Sequence, residues 1–321
     1  MQAQNQRKTY LDTVAGILLV YMMFTHCAQF TGTFDTKICQ TLSIAFSCFM
    51  PWFFFKSGML HKDLPSPKDE FRYTLKKLWR PYVLFWCIGF VIHDLILYID
   101  GDKYWVHYLL SPIKQTIWDG GTNNGELAMW FLSTFFCVRV LSISIKTISG
   151  GWIACGLIGF ILCMFNKNGI IHPYYVANFF PAMFFYGMGY YMKERQFCKS
   201  ILILAIVIFI VSFIFPSVVD FRTNSMAIGQ IPLWYIYAPA GIIIFNNIFK
   251  NTFTIWPFTT IGENAMYCFL VHWPILKIIH ILFEGNIQNP VTRLTVYSML
   301  LVASLIALKP IFSHTKLREW I

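Results

Sequence analysis

The sequence predicts an all-α fold, a polytopic transmembrane bundle of about ten helices, on three observations. Hydrophobic residues make up 57% of the 321-residue chain and charged residues only 12%. A water-soluble domain of ordinary usage carries about twice that charged fraction. Apolar runs of about 20 residues, the length that crosses a hydrocarbon core of about 30 Å, recur along the whole chain. The segments between them alternate between crowded and sparse in Lys and Arg, as cytoplasmic and outer loops do.

The runs fall near 11–30, 42–60, 81–99, 127–146, 149–166, 175–192, 201–219, 231–249, 261–283 and 294–312. The first is followed by many more, so it reads as a helix that stays and not as a cleaved signal. The fourth and fifth are divided only by the turn at Gly150-Gly151. The polar stretches near 61–80 and 100–126 are too short for an independent core. Residues 1–321 therefore read as a single membrane domain, without an internal repeat or a low-complexity linker.

Charge orients the chain. With the N-terminus inside, the inner segments hold most of the basic residues, including Arg7, Lys8, Lys62, Lys68, Arg72, Lys76, Lys77, Arg80, Lys193, Arg195, Lys250 and Arg318. The outer face holds Lys37, Lys103, Lys114, Lys167, Arg222 and Arg293. Both termini are thus expected in the cytoplasm and the chain in the cytoplasmic (inner) membrane. The net charge of +10 speaks of topology. Nucleic acid is not an expected partner, because a soluble basic face is missing. Membrane lipid is.

Of the nine cysteines, none forms a CxxC pair, and most sit in apolar runs, where a thiol acts as a small hydrophobe. Cys27 and Cys39 flank one short loop, where a bridge is conceivable. There is no metal-ligand spacing, no glycine-rich phosphate loop and no GxSxG turn, so no metal is expected. His61 and Asp63 read as a solvated loop pair.

Ionisable groups at bilayer depth cost a few kcal/mol each and point to function. They are His26, Lys56, Arg139, His272 and Lys277, with Asp12 at the mouth of the first helix. His26 lies 14 residues after Asp12, roughly 21 Å along a helix and on nearly the same face. A neutral imidazole can take a proton from a hydroxyl near neutral pH, or can simply bond a neighbouring helix. Lys56, Lys277 and Arg139 can snorkel to an interface. His272 precedes Trp273-Pro274, where a kink would expose carbonyls. Arg72, Lys76, Lys77 and Arg80 crowd the inner approach to the third run, as a lipid-attracting cluster or as a phosphate-binding patch.

Four segments together resemble the membrane-bound acyltransferase-3 family: YLDTVAGILLVYMMFTH (Tyr10–His26), PWFFFKSGML (Pro51–Leu60), KKLWRPYVLFW (Lys76–Trp86), and the pair ELAMWFLSTFF (Glu126–Phe136) with IGENAMYCFLVHWPIL (Ile261–Leu276). Their order and spacing across most of the chain carry the resemblance. It implies transfer of an acyl group, often acetyl, from cytoplasmic acyl-CoA to a hydroxyl of a glycan or lipid-linked sugar. It implies His26 and Asp12 as the catalytic residues, His26 as the base. Acetyl-CoA or another acyl-CoA would be held by Lys56, Arg72, Lys76, Lys77 and Arg80. The acceptor would meet Trp130, Arg139 and His272, in a cavity lined by the first, third and ninth helices. A homo-oligomer or a polysaccharide-synthesis complex is the expected assembly. Ala15 stands where many members carry a basic residue, and the third-helix motif is lysine-rich, which forgoes the bidentate grip of arginine. A different class, a carrier of a polysaccharide or lipid-linked precursor, would use Lys56, Arg139 and His272 as an anion path, and a non-catalytic scaffold is a third reading.

Overall fold

A computed structural model describes residues 9–64, 66–145, 148, 150–193, 197–250 and 255–314. The chain is mostly helical. Helix α1 spans Thr9–Thr31, α2 Lys37–Ala45 and α3 Phe49–Met59. Helix α4 (Pro67–Thr74) runs through a π-helical turn (Leu75–Trp79) into α5 (Arg80–Ile99). Then come α6 (Trp105–Trp118), α7 (Met129–Ile145), α8 (Gly151–Phe165), α9 (Tyr174–Met192) and α10 (Lys199–Ile214). A hairpin of β1 (Val218–Asp220) and β2 (Ser225–Ile228) precedes α11 (Trp234–Lys250), α12 (Trp256–Glu263), α13 (Ala265–Phe283) and α14 (Pro290–His314).

Among the described residues, five stretches are long and apolar enough to cross a membrane: Thr9–Thr31, Lys37–Met59, Pro67–Ile99, Ala265–Phe283 and Pro290–Ile311. Helices α7, α8 and α10 are apolar but shorter. Of α1's apolar window 78% is buried, against 17% for α14, so α1 is an interior helix, with Asp12, Thr13 and Thr25 buried.

Several expected elements differ in detail. The 42–60 run is two helices, broken at residues 46–48, with Thr36 capping the first through Oγ1 to the Cys39 N–H at 3.4 Å. The 261–283 run is likewise divided at Asn264. The stretch 100–126, expected as loop, contains α6, whose Leu109, Leu110, Ile113 and Ile117 are exposed. The 201–219 run stops at Ile214, because Pro216 cannot continue the helical hydrogen-bond ladder. The β1–β2 hairpin beyond Pro216 is the one sheet among the described residues and departs from the all-α expectation. It is antiparallel, with Val219 opposite Met226 and Asp220 opposite Ser225. Irregular backbone inside a membrane protein survives only where its polar groups find partners or line a cavity. Here Asn166 Nδ2 donates to the Thr223 carbonyl (2.6 Å), Asn178 Nδ2 to the Arg222 carbonyl (3.0 Å) and Asn224 Nδ2 to the Gly159 carbonyl (2.9 Å). The Tyr235 hydroxyl donates to Asn224 Oδ1 at 2.8 Å.

Two close helix crossings fix the interior. A Cβ at Gly16 of α1 would overlap the Phe258 backbone carbonyl, and one at Gly262 of α12 that of Asp12. A Cβ at Gly58 of α3 would overlap the Tyr186 carbonyl, and one at Gly189 of α9 that of Phe55. Without a hydrophobic drive between helices in lipid, such backbone approach is a principal source of association.

Candidate functional site

His26, on the last third of α1, lines a cavity of about 300 Å³. Around it stand Trp130 of α7, Trp234 of α11, Trp273 of α13, and Asp220 and Arg222 of the hairpin, with Gln29 one turn beyond on α1. The ring is held from three sides. Its Nδ1 lies 2.9 Å from Gln29 Oε1. An amide oxygen can only accept, so Nδ1 carries the proton and Nε2 keeps its lone pair. The His272 ring stacks on it at 5.4 Å and 23°, and Trp273 meets it edge-on at 4.9 Å. His272 is itself fully buried, and its Nδ1–H donates to the Phe269 carbonyl at 2.7 Å and the Cys268 carbonyl at 3.1 Å. These are the carbonyls one turn back on its own helix, whereas the N–H missing at Pro274 leaves the Leu270 carbonyl, four residues earlier, without its helical donor.

Of the residues singled out in the sequence, His26, Trp130 and His272 come together here. Asp12 does not join them. It is buried at the opposite end of α1, where Lys56 Nζ lies 3.4 Å from Asp12 Oδ1, 3.4 Å from the Leu11 carbonyl and over the Trp52 ring at 5.5 Å. The half-buried Lys56 ammonium so placed offsets the desolvation of the buried Asp12 carboxylate.

Arg139 also lies elsewhere. Its Nε and Nη2 donate to Glu70 Oε1 at 2.7 and 2.6 Å, a contact that clamps α4 to α7. It is part of a buried cluster with Glu70 and His61. His61 is 4% exposed, against the expected solvated loop pair, because the chain after α3 turns inward against α9. Its Nδ1 bonds the Tyr186 hydroxyl, and its Nε2 lies 3.4 Å from Asp63 and 4.0 Å from Glu70. An anion path through the membrane would need cations left open; Lys56 and Arg139 both face carboxylates.

Arg72, Lys76, Lys77 and Arg80 are exposed along one continuous helical stretch, α4 through the π turn into α5. The spacing of four between Arg72, Lys76 and Arg80 stacks them along one side. None lines the His26 cavity, and neither does α5: the expected contribution of the third run is made instead by α3, α7, α11 and the hairpin. The cysteines expected to sit as small hydrophobes do so at Cys27 and Cys39, which are buried free thiols without a bridge. Among the described residues no cluster of His, Cys, Asp or Glu could hold a metal ion.

Sequence reasoning missed Gln29, Asp220 and Arg222. Gln29 was legible in principle, three residues from His26 on the same helix face. The hairpin residues carry no periodic signal and enter the site only through tertiary folding. Near them, Glu126 is fully buried in the loop before α7, its Oε1 accepting from the Ala128 N–H at 3.1 Å and its Oε2 unpartnered among the described residues. Burial holds its carboxyl well above the usual carboxylate range.

No curated protein and no solved structure matches the chain. A family described as an acyltransferase domain matches residues 8–308, nearly the whole length. The chain belongs to the acyltransferase-3 family, whose membership supports a membrane-embedded acyltransferase.

Proposed function

We propose that this protein moves an acyl group, acetyl in the leading case, from cytoplasmic acyl-CoA to a hydroxyl of a glycan or lipid-linked sugar. The observation that carries the reading is His26 lining an aromatic cavity with its Nδ1 proton fixed by Gln29. Its Nε2 takes the proton of the acceptor hydroxyl as that oxygen bonds to the thioester carbonyl carbon. The carbon–sulfur bond then breaks, and the imidazolium returns the proton to the departing thiolate. Trp130, half-buried on the cavity wall, presents a surface on which a sugar ring can rest while it is aligned, with the buried Trp234 and Trp273 packed beside it. His272, stacked on His26, keeps the imidazole in plane.

The chain sits in the inner membrane with about ten passes and both termini inside. In that orientation the Arg72–Arg80 stretch is at the cytoplasmic face, where its charges attract CoA phosphates, and His26 is in the outer half. Lys56, paired with Asp12, ties α3 to α1 at that end.

The carrier reading is separated by one comparison. Vesicles containing the purified protein are supplied with labelled acetyl-CoA and isolated membrane glycans. Acyl transfer predicts label on the glycan only when the protein is present. Glycan translocation without acyl-CoA, and no label transfer with it, would replace this reading by the carrier.

A further inference from the structure

We propose that the His26 cavity takes an acceptor bearing an anionic oxygen group, held by the Arg222 guanidinium; this rests on the acyl-transfer reading. Arg222 is the only Lys or Arg lining the cavity among the described residues. Its backbone is set by the hairpin: its N–H donates to Asp220 Oδ1 at 3.0 Å and its carbonyl accepts from Asn178. The side chain, by contrast, makes no hydrogen bond or ion pair with any described residue. Its one contact of note is with the Tyr174 ring, 5.4 Å from the guanidinium carbon. Asp220 shares the cavity but forms no ion pair with it, and its Oδ1 is committed to the turn. Lys56 and Arg139, by contrast, are each matched to a carboxylate. Arg222 is thus a cavity-lining cation without a carboxylate partner among the described residues, held on a backbone fixed by the hairpin.

The rest of the cavity agrees. Trp273 is 6% exposed, and its indole N–H is a second donor without a partner among the described residues. A buried donor left unmatched costs free energy until an acceptor arrives. A half-buried arginine with a free planar fork suits a carboxylate or phosphate bidentately. Tryptophans beside it suit the apolar face of a pyranose. The ligand is therefore a sugar whose acceptor hydroxyl lies near an anionic group, either the carboxylate of an acidic sugar or the phosphate of a lipid-linked one.

The test is calorimetric titration of the purified full chain with three probes: a glucuronate-containing disaccharide, its neutral glucose counterpart and inorganic diphosphate. The wild-type protein should bind one of the two anions about tenfold or more tighter than the neutral sugar, the gain expected of a charge-assisted bidentate contact. Arg222→Gln should erase that preference while leaving neutral-sugar affinity and thermal stability unchanged, and Arg222→Lys should keep part of it. A gain with glucuronate assigns a sugar carboxylate, and a gain with diphosphate alone assigns a carrier phosphate. Equal binding of all three probes, or a preference that survives Arg222→Gln, overturns the proposal. His26→Ala should bind with the same preference. If acyl transfer persists in that variant, the base assignment falls and the Arg222 result stands apart from it.

Discussion

Replacing Gln29 tests how the imidazole is set for catalysis. The Gln29 oxygen accepts the Nδ1–H of His26 at 2.9 Å, within ordinary hydrogen-bond length. The residue is exposed, so in Gln29→Ala water can reach Nδ1 and replace part of the contact. A neutral hydrogen bond of this kind is worth about 1 kcal/mol net. Since about 1.4 kcal/mol is tenfold in rate, the expected loss in kcat is roughly three- to tenfold. KM for donor and acceptor should change little, because Gln29 positions the base and does not bind either substrate. Gln29→Glu supplies an acceptor of the same length and should restore most of the rate. Gln29→Lys offers only donors, cannot take the Nδ1 proton, and should be at least as slow as the alanine variant. Initial-rate transfer from labelled acetyl-CoA, measured over a range of both substrates, separates these cases. Equal rates in the Glu and Lys variants, or an unchanged rate in Gln29→Ala, would refute the tautomer argument.

Three further outcomes are expected from the same structure. Charge-neutralising Gln substitutions at Arg72, Lys76, Lys77 and Arg80 should raise KM for acyl-CoA stepwise, more at low ionic strength, with kcat at saturation little changed; salt-independent KM values would remove these residues from donor binding. Arg139→Met should destabilise by about 3 kcal/mol, because it strands a Glu70 whose side chain is 3% exposed. The double variant with Glu70→Leu should recover much of that loss in thermal unfolding, and additive losses would deny the coupling. For Glu126, the unfolded carboxyl titrates near the ordinary 4.5 while the buried one keeps its proton to higher pH. The folded state therefore binds more protons above pH 4.5, and its stability falls as pH rises through that window. Glu126→Gln should flatten this part of the stability curve and retain the Ala128 contact; an unchanged curve would contradict a protonated Glu126.

Much of the fold was legible because lipid imposes a simple rule, about 20 apolar residues per crossing, and the long runs at 9–31 and 265–283 obey it. Boundaries were lost where the rule is silent. Apolarity alone cannot distinguish one helix of 42–60 from two, and a hairpin with strands of 3 and 4 residues is too short for any alternation to show. In the site, His26 and His272 could be singled out as costly polar groups at depth, but their stacking depends on how α1 and α13 cross. Asp12 and Lys56 stood out for the same reason as His26, yet they answer each other. The burial of His61 was hidden by its place in a loop, since sequence shows the turn after α3 and not that it folds back onto Tyr186. Arg222 looked like one more outer-loop charge, and only the return of the hairpin into the bundle brings it to His26.

The central claim is that His26 is the base of an acyl transfer in this cavity. The most direct test is the rate of labelled acetyl transfer from acetyl-CoA to membrane glycan by purified wild-type protein and by His26→Ala and His26→Gln, with folding checked by thermal unfolding. Loss of a general base predicts a fall of about 10²–10⁴-fold in both folded variants. Transfer at the wild-type rate in either one would contradict the claim.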